Sequence, residues 1–421
     1  MIYTSKENLL LISIALLTVI FFFFGFVTDE NSAGGGDYFG DIKLIWNNQK
    51  IFFENNLVDA IEHEDYYDSR TPLAYIIHSY LNPFAENIES YRKSIFVISA
   101  TLPLLFFFYL KEKFNLNIIF LILLSSIILL SPFFRTTSYW ALQENYGLIF
   151  LVLTSWAILK CKHKQNHFSK IFFICFFSCL TFYFDQKLII IPILSLFFII
   201  NNFSIKQKIF SLIAFSVFAL PYVYLITVWG GILAKETVGR SFTFDWENIG
   251  YMLSIIGFYI FPFALFKENL LKSLKIFFFN RVNIFTISLI FIYLIFFSIY
   301  FQSFEIKYAN GNGIAHKIGG LLFEDFFLKN LFICFFILCS SITILFFFTS
   351  LYDRLIIVFF IILSLIVTPI YQEYLDPLIL IMLFTFFKEK IKINFYSCVF
   401  LFSYYLFFFL SSLYYYKTLL Y

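Results

Sequence analysis

Residues 8–41 are NLLLISIALLTVIFFFFGFVTDENSAGGGDYFGD. Roughly the first twenty of them are apolar, and this is the length that an α-helix needs to cross a bilayer core. They follow Lys6 and contain no small-x-small cleavage site, so we expect a retained first membrane span rather than a secretory signal. The chain turns polar and acidic directly after Val27. This stretch therefore predicts a membrane protein whose first extramembrane segment is acidic.

The composition extends this prediction to the whole chain. Of its 421 residues, 61% are apolar, 24% aromatic and 14% charged. Soluble domains are about half apolar and about a quarter charged, so a soluble enzyme, a disordered chain and a nucleic-acid binder are disfavoured. Apolar stretches of roughly span length lie at 8–27, 95–110, 114–134, 145–159, 171–184, 188–203, 209–229, 249–266, 283–301, 328–350, 355–370, 375–387 and 393–415. We predict an all-α, polytopic integral membrane protein with about 11–13 transmembrane helices, in one transmembrane domain over residues 1–421.

The distribution of charge orients the chain. Lys and Arg favour short cytoplasmic connections, and with a cytoplasmic N-terminus the inner connections together with Lys6 and Glu7 carry 17 basic and 5 acidic residues. The outer segments then carry 13 basic and 22 acidic residues, so the formal charge of +3 conceals a strong asymmetry. The inner connections are 111–113, 160–170, 204–208, 267–281, 353–354 and 388–392. We predict a protein of the bacterial inner (plasma) membrane with its N-terminus in the cytoplasm and its active site facing outward.

The chemistry of such a chain must lie in its few polar segments. The inner connections are too short to hold a nucleotide-binding domain, and the sequence contains no phosphate-binding P-loop and no dinucleotide fingerprint. A site is therefore expected in the outer segments. The longest of these is 28–94, and further outer loops are predicted at 230–248 and 302–327.

The first outer segment presents acidic residues beside a glycine hinge. Asp37 and Asp41 follow three consecutive glycines, a short distance from the first span. A carboxylate at a membrane surface is partly desolvated, which raises its pKa and its strength as a base. We predict Asp37 and Asp41 as the catalytic acids, on one face of an interfacial helix that starts near Asp37. A second interfacial helix is predicted to start at Pro72.

Further polar groups stand between later spans. Arg135 and Glu144 lie at the membrane edge, where an ionisable side chain is costly unless it is paired or solvated. We expect both to face a shared polar cavity, in which Arg135 suits a phosphate. The alternative is that Arg135 snorkels to the lipid head groups and Glu144 caps a helix. Lys187 and the segment 371–377 add two more polar clusters on the predicted outer side.

As an ordered set, these motifs resemble the GT-C superfamily of multi-spanning glycosyltransferases, which includes protein O-mannosyltransferases and the aminoarabinose transferases of lipid A. A long acidic first outer loop is followed by Pro72-Leu73 entering an interfacial helix. Three further motifs complete the set: the patch from Arg135 to Glu144, Lys187 at the start of a span, and a Tyr-x-x-Pro motif at 374–377. The adjacent Asp-Glu pair common in the family is Asp29-Glu30 here, very near the membrane, so these two residues are alternative catalytic acids.

The resemblance implies transfer of a sugar from a polyprenyl-phosphate carrier to an extracytoplasmic lipid, glycan or protein acceptor, without a nucleotide. An acidic side chain would deprotonate the acceptor, which attacks the anomeric carbon with inversion. The residues implied in donor and phosphate binding are Arg135, Glu144, Lys187, Tyr371 and Tyr374, with the two tyrosines shaping the sugar pocket. Carboxylates hold a divalent metal in some members, and Glu144 is the candidate ligand here, although the sequence shows no cluster of metal ligands.

Two other functions stay open at this point. O-antigen polymerases and ligases are also polytopic and outward-facing, but they usually place their large outer loop late, whereas here it comes first. A lipid or solute transporter would more often show ionisable residues at mid-span or paired broken helices. The spans of this chain carry almost no charge at depth, so the sequence favours the membrane glycosyltransferase.

Overall fold

A computed structural model of the chain describes residues 5–34, 36, 38–66, 68, 70–161, 168–232, 244–267, 269–300, 311–366 and 370–419. About 80% of the chain is helical, and the described residues form no β-strand. Within these ranges, six helices are long and apolar enough to cross a membrane, or seven if one bent pair counts as a span. They are Lys6–Val27, Ile88–Lys113, Ile205–Trp229, Arg281–Ile299, Phe326–Phe347 and Phe395–Lys417. The chain is an all-α, polytopic integral membrane protein, as the sequence predicts.

The helices belong to two compact units. The N-terminal unit is Ile12–Arg240, and the C-terminal unit is Ser241–Tyr421 together with Met1–Leu11. The first twelve helices are α1 (Ser5–Val27), α2 (Asp41–Glu54), α3 (Leu57–Glu62), α4 (Leu73–Leu81), α5 (Ile88–Ser99), α6 (Thr101–Lys113), α7 (Ile118–Ser126), α8 (Pro132–Tyr139), α9 (Glu144–Cys161), α10 (Phe168–Phe184), α11 (Ile190–Asn202) and α12 (Ile205–Trp229). The C-terminal unit continues with α13 (Glu247–Ala264), α14 (Leu270–Phe279), α15 (Arg281–Tyr300), α16 (Gly313–Leu322), α17 (Phe326–Phe347), α18 (Leu351–Ser364), α19 (Leu378–Thr385) and α20 (Phe395–Tyr414).

Three short helices, α2 to α4, separate α1 from the next long helix. The helix predicted to start at Pro72 is present, because α4 starts at Leu73 directly after the proline. Helix α2 begins at Asp41 with Gly40 as its N-cap, and Asp37 lies outside the described residues.

The predicted span at 114–134 is not one straight helix. It consists of α7, a 3-10 turn at Ile127–Leu130, and α8, which is bent by 68° from the helix before it. The bend follows from Ser131 and Pro132, because the Ser131 side chain accepts a hydrogen bond from the backbone N–H of Phe134 and caps α8. Proline at the first helical position cannot donate to a preceding turn. Half of the polar stretch at 135–144, residues 135–139, thus belongs to α8.

The C-terminal unit is organised around α13, whose residues are mostly buried. Helix α17 runs parallel to α13, because Gly250 lies beside Ile337 and Lys267, just after α13, donates hydrogen bonds to the carbonyls of Phe346 and Phe347. Helix α15 runs in the opposite direction, with Tyr293 donating to the carbonyl of Trp246 at the start of α13. Long helices of alternating direction follow from a chain whose spans are joined by short connections.

Candidate active site

Charged side chains gather where several helices of the N-terminal unit end. Helix α1 stops just before Asp29, α9 begins with Glu144, and α10 stops just before Asp185. These side chains form two groups. We call the first group the clamped pair: the adjacent acids Asp29 and Glu30 together with the two arginines that hold them, Arg92 and Arg135. The second group, the Arg70 cluster, consists of Asp68, Arg70, Glu144, Asp185 and Lys187. Ionisable groups concentrated at the ends of apolar helices mark the part of the unit where chemistry can occur.

Within the clamped pair, Glu30 and Arg135 form an ion pair that is joined by two hydrogen bonds. Arg135 donates from Nε to Glu30 Oε1 at 2.7 Å and from Nη2 to Oε2 at 2.5 Å. Its remaining donors bond the carbonyls of Leu129 at 3.1 Å and Phe21 at 3.0 Å. The side chain of Arg135 is 1% exposed. Arg135 was predicted to face a ligand, but here each guanidinium nitrogen already has an acceptor in the protein.

The close approach of this ion pair to α1 depends on a glycine. A Cβ atom at Gly25 would lie 2.6 Å from Arg135 Nη2 and 2.7 Å from Glu30 Oε2. These distances are shorter than a van der Waals contact, so a side chain at this position displaces the ion pair. Gly25 therefore permits the buried pair to lie against the last turns of α1.

Asp29 is held differently from Glu30. Its Oδ1 accepts from Arg92 Nη2 at 2.5 Å, and its side chain is 49% exposed. Its backbone is left-handed, with φ of 52°, which is uncommon for a residue with a side chain and marks a position held by its surroundings. Arg92 itself is buried and lies 4.5 Å from the Trp140 ring centroid and 4.7 Å from that of Phe26. Asp29 is thus a fixed and accessible carboxylate at the end of the first span.

The Arg70 cluster joins the segment before α4 to the start of α9. Arg70 donates to Asp68 Oδ1 through its backbone N–H at 3.0 Å and to Glu144 Oε1 through Nη2. Asp68 also accepts from the Tyr75 hydroxyl at 2.5 Å and from Gln143 Nε2 at 3.1 Å. The side chains of Asp68 and Glu144 are about 5% exposed, whereas that of Arg70 is 24% exposed. The cation of this cluster is therefore its accessible part.

Lys187 adds a second accessible cation. Its Nζ lies 3.6 Å from Asp185 Oδ2, and its side chain is 29% exposed. Burial opposes the charged form of Glu144, but Arg70 and Lys187 together hold the pKa of Glu144 below its ordinary value. Burial raises the pKa of Asp185, with Lys187 acting in the opposite direction. The carboxylate that faces Arg70 is thus kept ionised, while Asp185 is a weaker counter-ion for Lys187.

The surroundings of Glu144 do not suit a divalent metal. Its Oε1 accepts from Arg70, and Lys187 acts on it as a second positive charge. Across the part of the chain that the structure describes, no group of three or more His, Cys, Asp or Glu side chains is placed to hold a metal ion. One carboxylate oxygen between two cations is a poor ligand set for a divalent metal, which needs several oxygen ligands.

An apolar cavity of about 260 Å³ lies among α4, α5, α9 and α10. Ala74, Tyr146 and Phe184 line it, and in sequence they stand close to Arg70, Glu144 and Asp185. His78 supplies a polar group of the lining and is buried. Asn82 donates to its Nδ1 at 2.8 Å, so the proton of the neutral ring is on Nε2, 2.9 Å from the Tyr146 hydroxyl. Burial lowers the pKa of His78 to about 4, which keeps this ring neutral.

The other predicted site residues are not part of these groups. Asp37 lies outside the described residues. Asp41 is the first residue of α2 and is partly exposed. Tyr371 and Tyr374 belong to the C-terminal unit, where their ring centroids are 5.3 Å apart and Tyr371 pairs with Gly311 in an isolated bridge. Of the predicted residues, Glu144 and Lys187 share one cluster, and Asp29, Glu30 and Arg135 share the other.

Sequence reasoning missed three residues of the site. Asp68 lies in the predicted outer segment 28–94 and is buried. Arg70 and Arg92 lie in the same segment, and neither was predicted as a site residue. Each is a charged residue within a few positions of an apolar segment, and this signal was applied only to Arg135 and Lys187.

Comparisons with protein-family models, with curated proteins and with solved structures found no match for this chain.

Proposed function

We propose that the chain is a membrane glycosyltransferase of the GT-C type, which transfers a sugar from a polyprenyl-phosphate carrier to an extracytoplasmic acceptor. One arrangement carries the proposal. Two accessible cations, Arg70 and Lys187, lie within four residues in sequence of the lining of an apolar cavity, and an accessible carboxylate, Asp29, ends the first span of the same unit. A lipid-linked phosphate needs a cation and an apolar surface side by side, and an acceptor hydroxyl or amine needs a base.

The cations suited to the donor phosphate are Arg70 and Lys187. Arg135, the residue first considered for this role, has its nitrogens bonded to Glu30 and to two carbonyls, so binding a phosphate would require breaking a buried ion pair. Arg70 and Lys187 keep about a quarter of their side chains exposed. A guanidinium next to an ammonium group suits the charge of a phosphate or diphosphate.

The apolar cavity lined by residues close in sequence to these cations suits the start of the lipid chain. Its lining is formed mainly by Ala74, Ile77, Phe150 and Phe184. Burying apolar surface of a lipid chain there contributes about 25 cal/mol for each Å² removed from water. With the phosphate at Arg70 and Lys187, the anomeric carbon would face away from the apolar cavity and toward the polar surface.

Asp29 is the best base among the acids considered. Glu30 is locked to Arg135, and the Asp29 side chain is held on one oxygen by Arg92 and half exposed. In the proposed step, the Asp29 carboxylate takes the proton of the acceptor, the acceptor atom bonds to the anomeric carbon, and the bond to the carrier phosphate breaks. Inversion follows because the acceptor attacks opposite the leaving phosphate. Asp37 and Asp41 remain the alternatives from the sequence.

The proposal includes the finer topology predicted from the sequence. The proposal keeps the 11–13 passes predicted from the sequence, counting shorter apolar helices such as α10 and α11 in addition to the six long ones. Helices α2 to α4 then form the interfacial part of the first outer loop. The N-terminus is cytoplasmic in a bacterial inner membrane, and the clamped pair and the Arg70 cluster face outward.

The test begins with mass spectrometry of cell-surface glycans and lipids from cells with and without the gene. A sugar that disappears with the gene identifies the product, and the gene with Asp29→Asn is then returned to the deleted cells. Because general-base assistance is worth about 10²- to 10⁴-fold in rate, we expect the product to fall to a few per cent or less. The Asp37→Asn and Asp41→Asn variants are measured beside it.

The matched control is Glu64→Gln, which changes an exposed acid of the same loop and should restore the product fully. Equal amounts of extracted protein in all strains separate loss of activity from loss of protein. Full restoration by Asp29→Asn together with failure of Asp37→Asn would assign the base to Asp37. Identical glycans and lipids with and without the gene would overturn the proposed function itself.

A further inference from the structure

One end of the C-terminal unit is built from connections between its helices. Lys267, after α13, donates to the carbonyls of Phe346 and Phe347 at 3.0 Å and 2.7 Å and lies 3.4 Å from Glu389. Thr349 donates from its hydroxyl to Glu389 at 2.9 Å. The end of α13, the end of α17 and the segment before α20 therefore meet at one place.

The starts of two further helices join the same place. Arg354 at the start of α18 donates from Nη2 to Asn283 Oδ1 at 3.1 Å, and Asn283 lies in the first turn of α15. The backbone N–H of Lys388 donates to Asp353 Oδ1 at 2.9 Å. Helix α14 lies between α13 and α15 in the chain, so it belongs to this end as well. We call it the basic end, comprising residues 267–283, 346–354 and 386–394.

In the basic end, the described acidic side chains are covered, whereas many of the basic side chains are exposed. Its described acids are covered, since Asp353 is fully buried and the Glu389 side chain is 13% exposed and engaged by Lys267 and Thr349. Among the residues that the structure describes there, the exposed charged side chains are all cations: Lys272, Lys275, Arg281, Lys388, Lys390 and Lys392. The described surface of the basic end is therefore strongly positive, although the chain as a whole is close to neutral.

Helix α14 brings apolar groups to the same surface. Leu271 is 83% exposed, Ile276 60% and Phe279 77%, while Phe277 is the buried residue of the helix and packs against Phe346 with ring centroids 5.8 Å apart. Lys272 and Lys275 are three residues apart and therefore share the exposed side of the helix with these apolar groups. A helix surrounded by water would not expose this many apolar side chains. Helix α14 is therefore suited to the boundary between the acyl chains and the head groups of a membrane.

We propose that helix α14 and the lysines of the basic end bind the head groups of anionic phospholipids. Its apolar side chains enter the acyl boundary, and the long side chains of Lys272 and Lys275 extend to the level of the lipid phosphates. The excess of exposed cations over exposed acids supplies the preference for an anionic over a zwitterionic head group. This proposal is independent of the glycosyltransferase proposal, which concerns the other unit.

Native mass spectrometry of the delipidated full-length protein in a non-ionic detergent tests the proposal. The protein is titrated with phosphatidylglycerol or with phosphatidylcholine, and the Kd of the first bound lipid is measured. We expect phosphatidylglycerol to bind more tightly. Because each lysine near an anionic surface is worth roughly fivefold in affinity, Lys272→Gln/Lys275→Gln should weaken phosphatidylglycerol binding about 5- to 25-fold and leave phosphatidylcholine binding unchanged.

The matched control is Lys43→Gln/Lys50→Gln in α2, a surface helix whose two lysines are accompanied by Asp41 and Glu54. This variant should bind phosphatidylglycerol like the wild type. A second variant, Lys390→Gln/Lys392→Gln, should also weaken binding, and it covers the case in which changes in α14 alter the helix itself. Equal affinity of the wild type for the two lipids, or equal weakening by the α2 and α14 variants, would overturn the proposal.

Discussion

Replacing Glu30 by Gln measures how much the clamped pair contributes to stability. The substitution keeps the size of the side chain and removes its charge, so Arg135 stays buried with two carbonyls and no carboxylate. Breaking a buried ion pair by removing one partner costs about 3–5 kcal/mol. Since the Arg135 side chain is 1% exposed and Glu30 accepts two of its bonds, we expect a loss in this range. Unfolding of the purified protein by SDS in mixed micelles measures it.

A double-mutant cycle shows whether this loss of stability comes from the interaction between Glu30 and Arg135. Arg135→Met alone leaves Glu30 without its cation, whereas Glu30→Gln/Arg135→Met leaves no unpaired charge. The double variant should therefore lose less than the sum of the single losses by about 2 kcal/mol or more. Glu64→Gln, at an exposed position, should change stability by under about 0.5 kcal/mol. A loss below about 1 kcal/mol for Glu30→Gln, or additive single losses, would refute the assignment of Arg135 to this ion pair.

Two further predictions concern the same unit. Gly25→Ala places a Cβ within 2.7 Å of the ion pair and should cost about 1–3 kcal/mol in the SDS assay. The control Gly320→Ala, in the C-terminal unit, places a Cβ 3.8 Å from its nearest neighbour, Lys329 Nζ, and should be neutral or stabilising. Burial lowers the pKa of His78 to about 4 from an ordinary 6.5, so the unfolded chain binds the proton more tightly. Stability should be unaffected above pH 6.5 and fall by up to about 3 kcal/mol as the pH drops to 4. Thermal melts of the wild type and His78→Gln at pH 7 and pH 5 check this, and an equal drop in both proteins would exclude His78 as its cause.

The positions of the long helices could be predicted because the sequence pattern that indicates them is local. The length of an apolar run and the charge of its flanks are properties of neighbouring residues, so the long helices α1, α12, α15, α17 and α20 lie where the sequence places them. The break at Ser131-Pro132 was missed although its signal is also local. A serine followed by proline starts a helix and ends the one before it, but inside an apolar run the hydrophobicity masked it.

The partners of the charged residues were not predictable in the same way. Glu30 and Arg135 are 105 residues apart, and Arg70 and Glu144 are 74 apart. A sequence shows that each of these residues is charged and near a membrane edge. It does not show which opposite charge the fold brings to it, and this decides whether an arginine is consumed by an ion pair or left for a ligand.

Exposure separates two kinds of cation that the sequence makes look alike. Arg135 and Lys187 both stand next to apolar spans, but the side chain of the first is 1% exposed and that of the second 29%. A buried, fully bonded guanidinium loses its ion pair before it gains a ligand, and that loss exceeds what one phosphate contact commonly returns. An accessible ammonium group that lies 3.6 Å from its carboxylate, as Lys187 does from Asp185, loses much less when it turns to a ligand. The phosphate of a lipid-linked donor should therefore bind at the Arg70 cluster, and the clamped pair should hold Asp29 and the end of α1 in place.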